Sequence, residues 1–363
     1  MRIPLPVLVA ALAGVLATAT PAAAGSGEVV GGERLAATGL LVDADAPEVP
    51  TGLSAASWLV ADLDSGQVLA TRNPHGRYAP ASTLKMLTAV TLIPVLDADR
   101  KVVPVFDDIA VEGSKVGLVE RVGYPVHELF SALMMVSGND AANVLASAAG
   151  GQAATAALMN EKAKSLHALD TRAVNPHGLD AEGQLSSAYD LALIARAGLA
   201  DPAFAGYAAA ARGSVSAPGT ARIQMATKNK LLKSYDGALG IKNGYTSRAR
   251  ASFVGAAERD GRRLVVTLMR ADPKVADEAA KLLDWGFSAA GSVDPVGRLV
   301  DPEPSPEQAA AAEPAGALTR AAPSPRGPGS GTGVPATLAG MGLAAAAVAA
   351  VRHRPPARPP ARC

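Results

Sequence analysis

The sequence predicts an α/β fold, in which a mixed sheet is flanked by helices and carries a helical subdomain. Two observations support this. Turn-linked apolar runs lie at both ends of the central region, near residues 57–70 and 251–269. Between them the chain reads as a series of apolar helices. Strands from distant segments must then meet in one sheet, and the helices must cover it.

Taken in order, Arg2 precedes an uncharged stretch from Ile3 to Ala24 that ends in Pro21-Ala22-Ala23-Ala24. A positive start, an apolar region and an A-x-A site predict a signal peptide over residues 1–24, cleaved near Gly25. Ser57 to Asp64 and Gln67 to Ala70 flank a Ser65-Gly66 connection and read as a hairpin. Thr83–Leu96, Leu129–Ala149, Ala153–Leu169 and Ala188–Ala200 carry helical patterns. Late in the chain, Ala251–Ala257 and Leu264–Met269 flank Asp260-Gly261, a pair suited to the positive φ of a tight hairpin. Ala276–Phe287 then reads as a closing helix. A catalytic domain is expected over residues 46–296.

Beyond it, residues 301–333 are rich in Pro, Ala, Gly and Glu, a composition that cannot bury enough apolar surface to fold. The 17 residues from Pro335 to Val351 carry no charge, near the lower limit for crossing a bilayer. A basic tail follows over 352–363, which fits a cytoplasmic end. The expectation is an exported protein on the outer face of the membrane, anchored by its C-terminal helix. The formal net charge of +1 and the lack of a basic stripe in the central region exclude a nucleic-acid partner. Cys363 is the only cysteine, so no intrachain disulfide can form. The five histidines show no ligand spacing, and neither a metal nor a cofactor is expected.

Chemistry enters at Pro80-Ala81-Ser82-Thr83-Leu84-Lys85. Proline is accepted at a helix start, so the helix begins around Ser82. Residues three apart share a helix face, which brings the Lys85 amine to the Ser82 hydroxyl. A neutral lysine there can activate Ser82 as a nucleophile. Alone, the spacing is weak and reads first as a capping serine with a surface lysine. Ser137-Gly138-Asn139 interrupts one long apolar helical stretch and can aim a hydroxyl and an amide into one cleft, or merely cap a helix. Lys242-Asn243-Gly244 falls on the strand feeding the late hairpin; its lysine can meet an anionic substrate, although Asn-Gly also favours a turn. Ser82 begins the only S-x-x-K and Ser137 the only S-x-N in the chain.

With these motifs in this order, the chain resembles the low-molecular-weight penicillin-binding proteins, the serine D-alanyl-D-alanine carboxypeptidases. The resemblance runs from about Ser54 to Phe287 and includes Asn175-Pro176-His177-Gly178-Leu179-Asp180 and Ser187-Ala188-Tyr189-Asp190. It implies the penicillin-binding protein/β-lactamase-like fold and an acyl-enzyme on Ser82, with Lys85 as base and Ser137 relaying a proton to the leaving D-alanine. Asn139 would hold the peptide backbone, and the N–H groups of Ser82 and Tyr245 would form the oxyanion hole. Lys242 and Thr246 would bind near the terminal carboxylate, Gly244 would let the ligand approach the backbone, and Arg270 would be either a further carboxylate anchor or a solvated surface arginine. The implied partners are peptidoglycan pentapeptides ending in D-Ala-D-Ala, and β-lactams as covalent inhibitors. Asn243 stands where the family usually has threonine, which bears on substrate and β-lactam affinity.

Two alternatives share the fold. One is a weakly active or inactive penicillin-binding wall protein, which Asn243 would favour. The other is a β-lactamase or esterase. Fast-deacylating β-lactamases resemble one another in a glutamate with asparagine four residues on; Glu161 and Glu182 here are each followed by serine at that spacing. No G-x-S-x-G elbow is present.

Overall fold

In a computed structural model, residues 29–304 are described. The predicted signal peptide, the linker beyond Pro304, the 335–351 stretch and the basic tail lie outside them. Among the described residues, no helix is long and apolar enough to cross a membrane.

The sheet is assembled from both ends of the chain. Its strands are β1 (Leu40–Val42), β2 (Ser57–Asp62), β3 (Gln67–Arg72), β8 (Ala238–Thr246), β9 (Arg250–Arg259), β10 (Arg262–Ala271) and β11 (Gly297–Arg298), in the order β1-β3-β2-β10-β9-β8 with β11 also on β3. Among the described residues every pairing is antiparallel, so the sheet lacks the parallel component of a mixed one there. The cause is local: β2–β3, β8–β9 and β9–β10 are successive returns of the chain, and a short return can pair strands only in opposite directions. The sheet also extends past residues 46–296 at both ends, through β1 and β11. Strands of two or three residues leave no periodicity to read.

The late hairpin forms as its sequence requires, with Asp260 (φ 51) and Gly261 (φ 76) as the two turn residues. In the first hairpin β2 stops at Asp62, because the Asp62 carboxylate accepts the N–H groups of Asp64 and Ser65 and curls the chain into a longer turn.

Both faces of the sheet are covered. Trp58 and Val60 of β2 pack with Leu264, Val266 and Leu268 of β10 beneath α9 (Val275–Ala289). Leu59 and Ala61, from the alternate positions of β2, join Val265 and Met269 in the opposite core. That core is completed by α1 (Lys85–Leu92), α3 (Val126–Met135), α4 (Asn139–Ala148), α5 (Gln152–Ser165) and α6 (Ala188–Leu199). Smaller elements decorate this helical part: β4 (Lys101–Val102), α2 (Phe106–Ile109), β5 (Tyr124–Pro125), α7 (Pro202–Ala209), a hairpin of β6 (Arg212–Ser216) and β7 (Arg222–Ala226), and α8 (Leu231–Ser234). A cleft lies where the start of α1, the α3–α4 turn and edge strand β8 converge.

Candidate active site

The helix expected from Ser82 begins differently. Ala81–Leu84 forms a 3-10 turn, and α1 starts only at Lys85. In a 3-10 turn positions i and i+3 eclipse, which places Lys85 over Ser82 more directly than an α-helix would. Lys85 Nζ lies 3.0 Å from Ser82 Oγ. The turn opens on Ala81 in the left-handed region (φ 48), a strained place for a residue with a Cβ. Its surroundings hold it there. Thr83 Oγ1 and Ser252 Oγ, the latter from β9, each donate to the Pro80 carbonyl at 2.6 Å. Gly178 packs so closely that a Cβ added to it would stand 2.1 Å from the Ala81 carbonyl oxygen.

Lys85 is fully buried. Besides Ser82, its Nζ donates to Asn139 Oδ1 at 2.7 Å and to the His177 carbonyl. Burial above all, then the positive charges of Lys242 and Lys228, hold its ammonium well below the usual lysine value; Asp140 acts in the opposite direction. A neutral amine has two protons, and Asn139 Oδ1 and the His177 carbonyl can only accept. With both protons so directed, the remaining lone pair is left for the Ser82 hydroxyl. His177 is itself pushed down to about 4, by burial first and then by the Lys85 charge.

The Ser137–Asn139 turn separates α3 from α4. Ser137 adopts φ 62, and its Oγ is buried without a hydrogen-bond partner among the described residues. Asn139 is clamped on three sides: Oδ1 accepts from Lys85, Nδ2 donates to Glu112 O (2.6 Å), and its backbone N–H donates to Ser114 O (2.7 Å). Asp140 anchors the same loop, its carboxylate accepting the N–H groups of Val116, Gly117 and Leu118. The helix-capping alternative for this triplet fails, because the cap position is Gly138 and no side chain caps α4.

Lys242-Asn243-Gly244 forms no turn. It runs within β8, paired with Val254, Phe253 and Ser252 of β9. Lys242 is buried, its Nζ donates to Asn243 O (2.8 Å), and burial followed by the Lys228 charge pushes it down to about 7. Gly244 lies against the Ser82 turn; a Cβ there would meet Ser82 N at 2.6 Å. Asn243 is half-buried and Tyr245 is 63% exposed. The Thr246 hydroxyl donates to Asp180 Oδ1 (2.8 Å). Arg270 sits on a bulge of β10 at φ 55, exposed and without an ion pair among the described residues. The register sets its neighbour Ala271 two strands from Tyr245, with Ala251 between. Hydrogen bonds or close packing thus join Ser82, Lys85, Asn139 and Gly244, whereas Arg270 makes no hydrogen bond to any of them.

Among the described residues, His75, Asp170 and Asp190 bring metal-type donor atoms within 4.8 Å of one another, a grouping that sequence spacing does not reveal. These atoms already have partners. His75 Nδ1 meets Asp170 Oδ2 at 2.7 Å and Nε2 meets Val30 O at 3.1 Å, while Arg77 donates to the other Asp170 oxygen. Burial alone would lower His75, but the Asp170 carboxylate reverses the balance and raises it. Thr171 donates to Asp190, whose burial lifts its carboxyl to about 7. The group reads as a hydrogen-bonded histidine–aspartate cluster.

The sequence motifs miss the residues that brace the site: Asp140, Ser114, Gly178, Ser252 and the carbonyl of His177. Asp140 and Gly178 leave a trace, an acid directly after S-x-N and a glycine ending Asn-Pro-His-Gly. A backbone carbonyl leaves none.

A family model described as D-alanyl-D-alanine carboxypeptidase matches residues 43–273. The chain is 43% identical over 247 residues to D-alanyl-D-alanine carboxypeptidase DacB2 of Mycobacterium tuberculosis, covering 66% of this chain and 84% of that one. It is 36% identical to D-alanyl-D-alanine carboxypeptidase DacD of Escherichia coli over 65% of this chain, a match that spans 64% of the relative's length. Among solved structures, the D-alanyl-D-alanine carboxypeptidase of M. tuberculosis H37Rv superposes with a TM-score of 0.68 at 42% identity, covering 71% of this chain and 99% of that one. A serine-to-alanine mutant of Streptomyces K15 DD-transpeptidase shares the fold at 24% identity, with a TM-score of 0.63 over 66% of this chain and all of that one.

Proposed function

The chain belongs to the D-alanyl-D-alanine carboxypeptidase family, a group of penicillin-binding hydrolases, and we propose that it works through an acyl-enzyme on Ser82. One observation carries this reading: Lys85 is buried beside Ser82 with two obligate acceptors for its protons, so its lone pair is directed to the hydroxyl.

Ser82 Oγ attacks the carbonyl of the penultimate D-alanine while Lys85 takes its proton. The oxyanion forms against the N–H groups of Ser82 and Tyr245, held rigid by the contact between Gly244 and the Ser82 turn. Ser137 passes a proton to the departing D-alanine amine. Water then cleaves the ester, which releases the shortened stem peptide and restores Ser82. β8 is an edge strand, so its free backbone groups can pair with an extended peptide while Asn139 holds the opposite side. Lys242, Asn243, Thr246 and Arg270 gather the terminal carboxylate. In this reading peptidoglycan pentapeptide is the substrate, and β-lactams acylate the same serine. The enzyme works outside the cytoplasm, with the 1–24 segment as export signal and the 335–351 segment as anchor.

Full-length protein should take a covalent fluorescent penicillin label and release D-alanine from a peptide ending in D-Ala-D-Ala. Ser82→Ala should abolish both, and Lys85→Ala should slow acylation by about 100-fold or more. An unmutated protein that neither binds the label nor releases D-alanine would overturn the reading. Rapid loss of the label would favour a β-lactamase.

A further inference from the structure

Lys228 follows β7 and joins two walls of the cleft. Its backbone N–H donates to Met135 O (3.0 Å), at the end of α3 and two residues before Ser137. Its Nζ donates to Ser114 Oγ (3.1 Å). The Ser114 carbonyl in turn accepts the Asn139 N–H, and Asn139 Oδ1 accepts from Lys85 Nζ. A continuous path of contacts therefore runs from an exposed ammonium to the Ser82 hydroxyl. That ammonium forms no ion pair with a carboxylate among the described residues.

We infer that Lys228 is a positioning residue for the reaction: through Ser114 it clamps the 112–118 loop onto the Ser137–Asn139 turn, and it sets a third positive charge beside Lys85 and Lys242. This rests on Lys85 being the base proposed above. Four charged or titratable groups bear on Lys85, namely Lys242 of β8, Asp140 of α4, His177 of the loop before α6, and Lys228. The first three are buried, and Lys228 alone is exposed. Its replacement can alter the field at Lys85 without opening a cavity. Ser114 is bound from both directions, through its hydroxyl by Lys228 and through its carbonyl by Asn139. Loss of the ammonium leaves the loop attached at Asn139 and Asp140, but frees its Ser114 side chain.

The deciding measurement is the pH dependence of acylation of the full-length protein by fluorescent penicillin. A neighbouring cation disfavours a charged Lys85, so its removal lets Lys85 hold a proton to higher pH. In Lys228→Gln the acid limb of the profile should move to higher pH, and acylation on that limb should fall about tenfold for each unit of movement. Lys228→Arg keeps the charge and should leave the limb in place. Ser114→Ala keeps the charge but breaks the clamp, and should raise KM for the peptide with the limb unmoved. An acid limb in Lys228→Gln that coincides with that of the unmutated protein overturns the inference, whatever the rate. Failure of the catalytic reading is separate, since the unmutated protein would then take no label.

Discussion

Gly178 combines a positive φ of 83 with a backbone contact that leaves no room for a methyl group. Gly178→Ala must strain its own backbone and push on the Ala81 carbonyl, one residue from Ser82. The expected cost exceeds about 2 kcal/mol of stability, with weaker penicillin labelling of whatever remains folded. Thermal melts and labelling in parallel would check this, and an unchanged melt would contradict the close packing of Gly178 against Ala81. The motif residues are the legible part of the candidate site. Ser82, Lys85, Ser137, Asn139 and Lys242 stand out because their motifs are rare and ordered. The bracing residues do not, because a tight contact such as Gly178 against Ala81 is set by segments almost one hundred positions apart. The roles of Asn243, Thr246 and Arg270 rest on resemblance; here Thr246 already donates to Asp180.

Among the elements, the α3–α4 turn depends on a carboxylate absent from its motif. Asp140 gathers three consecutive backbone N–H groups at 2.8 to 3.1 Å. Asp140→Ala leaves these donors unpaired, at a cost of about 1–3 kcal/mol or more. Faster hydrogen exchange at residues 116–118 and a higher KM for peptide substrate are expected. Exchange rates equal to those of the unmutated protein would show that the loop holds itself. Elements with strong local signals were legible. The Asp260-Gly261 hairpin and the helices ending near Ala148 and Leu199 lie close to where turn chemistry and periodicity place them. The 3-10 start before α1 was not, because the distinction from an α-helical first turn comes from the tertiary grip of Ser252 and Gly178 on Pro80 and Ala81. The β6–β7 hairpin and the two-residue strands were also hidden, being too short or too polar to show a pattern.

For the molecule as a whole, two lysines buried in one cleft set a pH dependence of stability. Lys242 falls from an ordinary 10.5 to about 7 in the folded state. Between those values the unfolded chain holds a proton that the folded protein has released, so stability rises with pH across that window and is lowest below about 7. Lys85 acts in the same direction. Lys242→Met removes the group, and should flatten this rise and add a few degrees, roughly, to Tm near neutral pH, while impairing catalysis. Urea midpoints from pH 7 to 9 would decide; parallel curves for the two proteins would refute the assignment. At this scale the sequence revealed the layering, with strands at both ends and helices between, but not the strand order. Pairing β2 with β10 joins residues some two hundred positions apart, and no local pattern encodes such a meeting. The position of β8 at the sheet margin has a further consequence, for solubility. An open margin strand is a template for any other extended chain, including a second copy of this protein. Two features restrict it: the register slip between Ala238 and Gly240, and a lysine turned inward part-way along the strand. Lys242→Met would therefore exchange one hazard for another, a protein harder to unfold but readier to aggregate edge to edge.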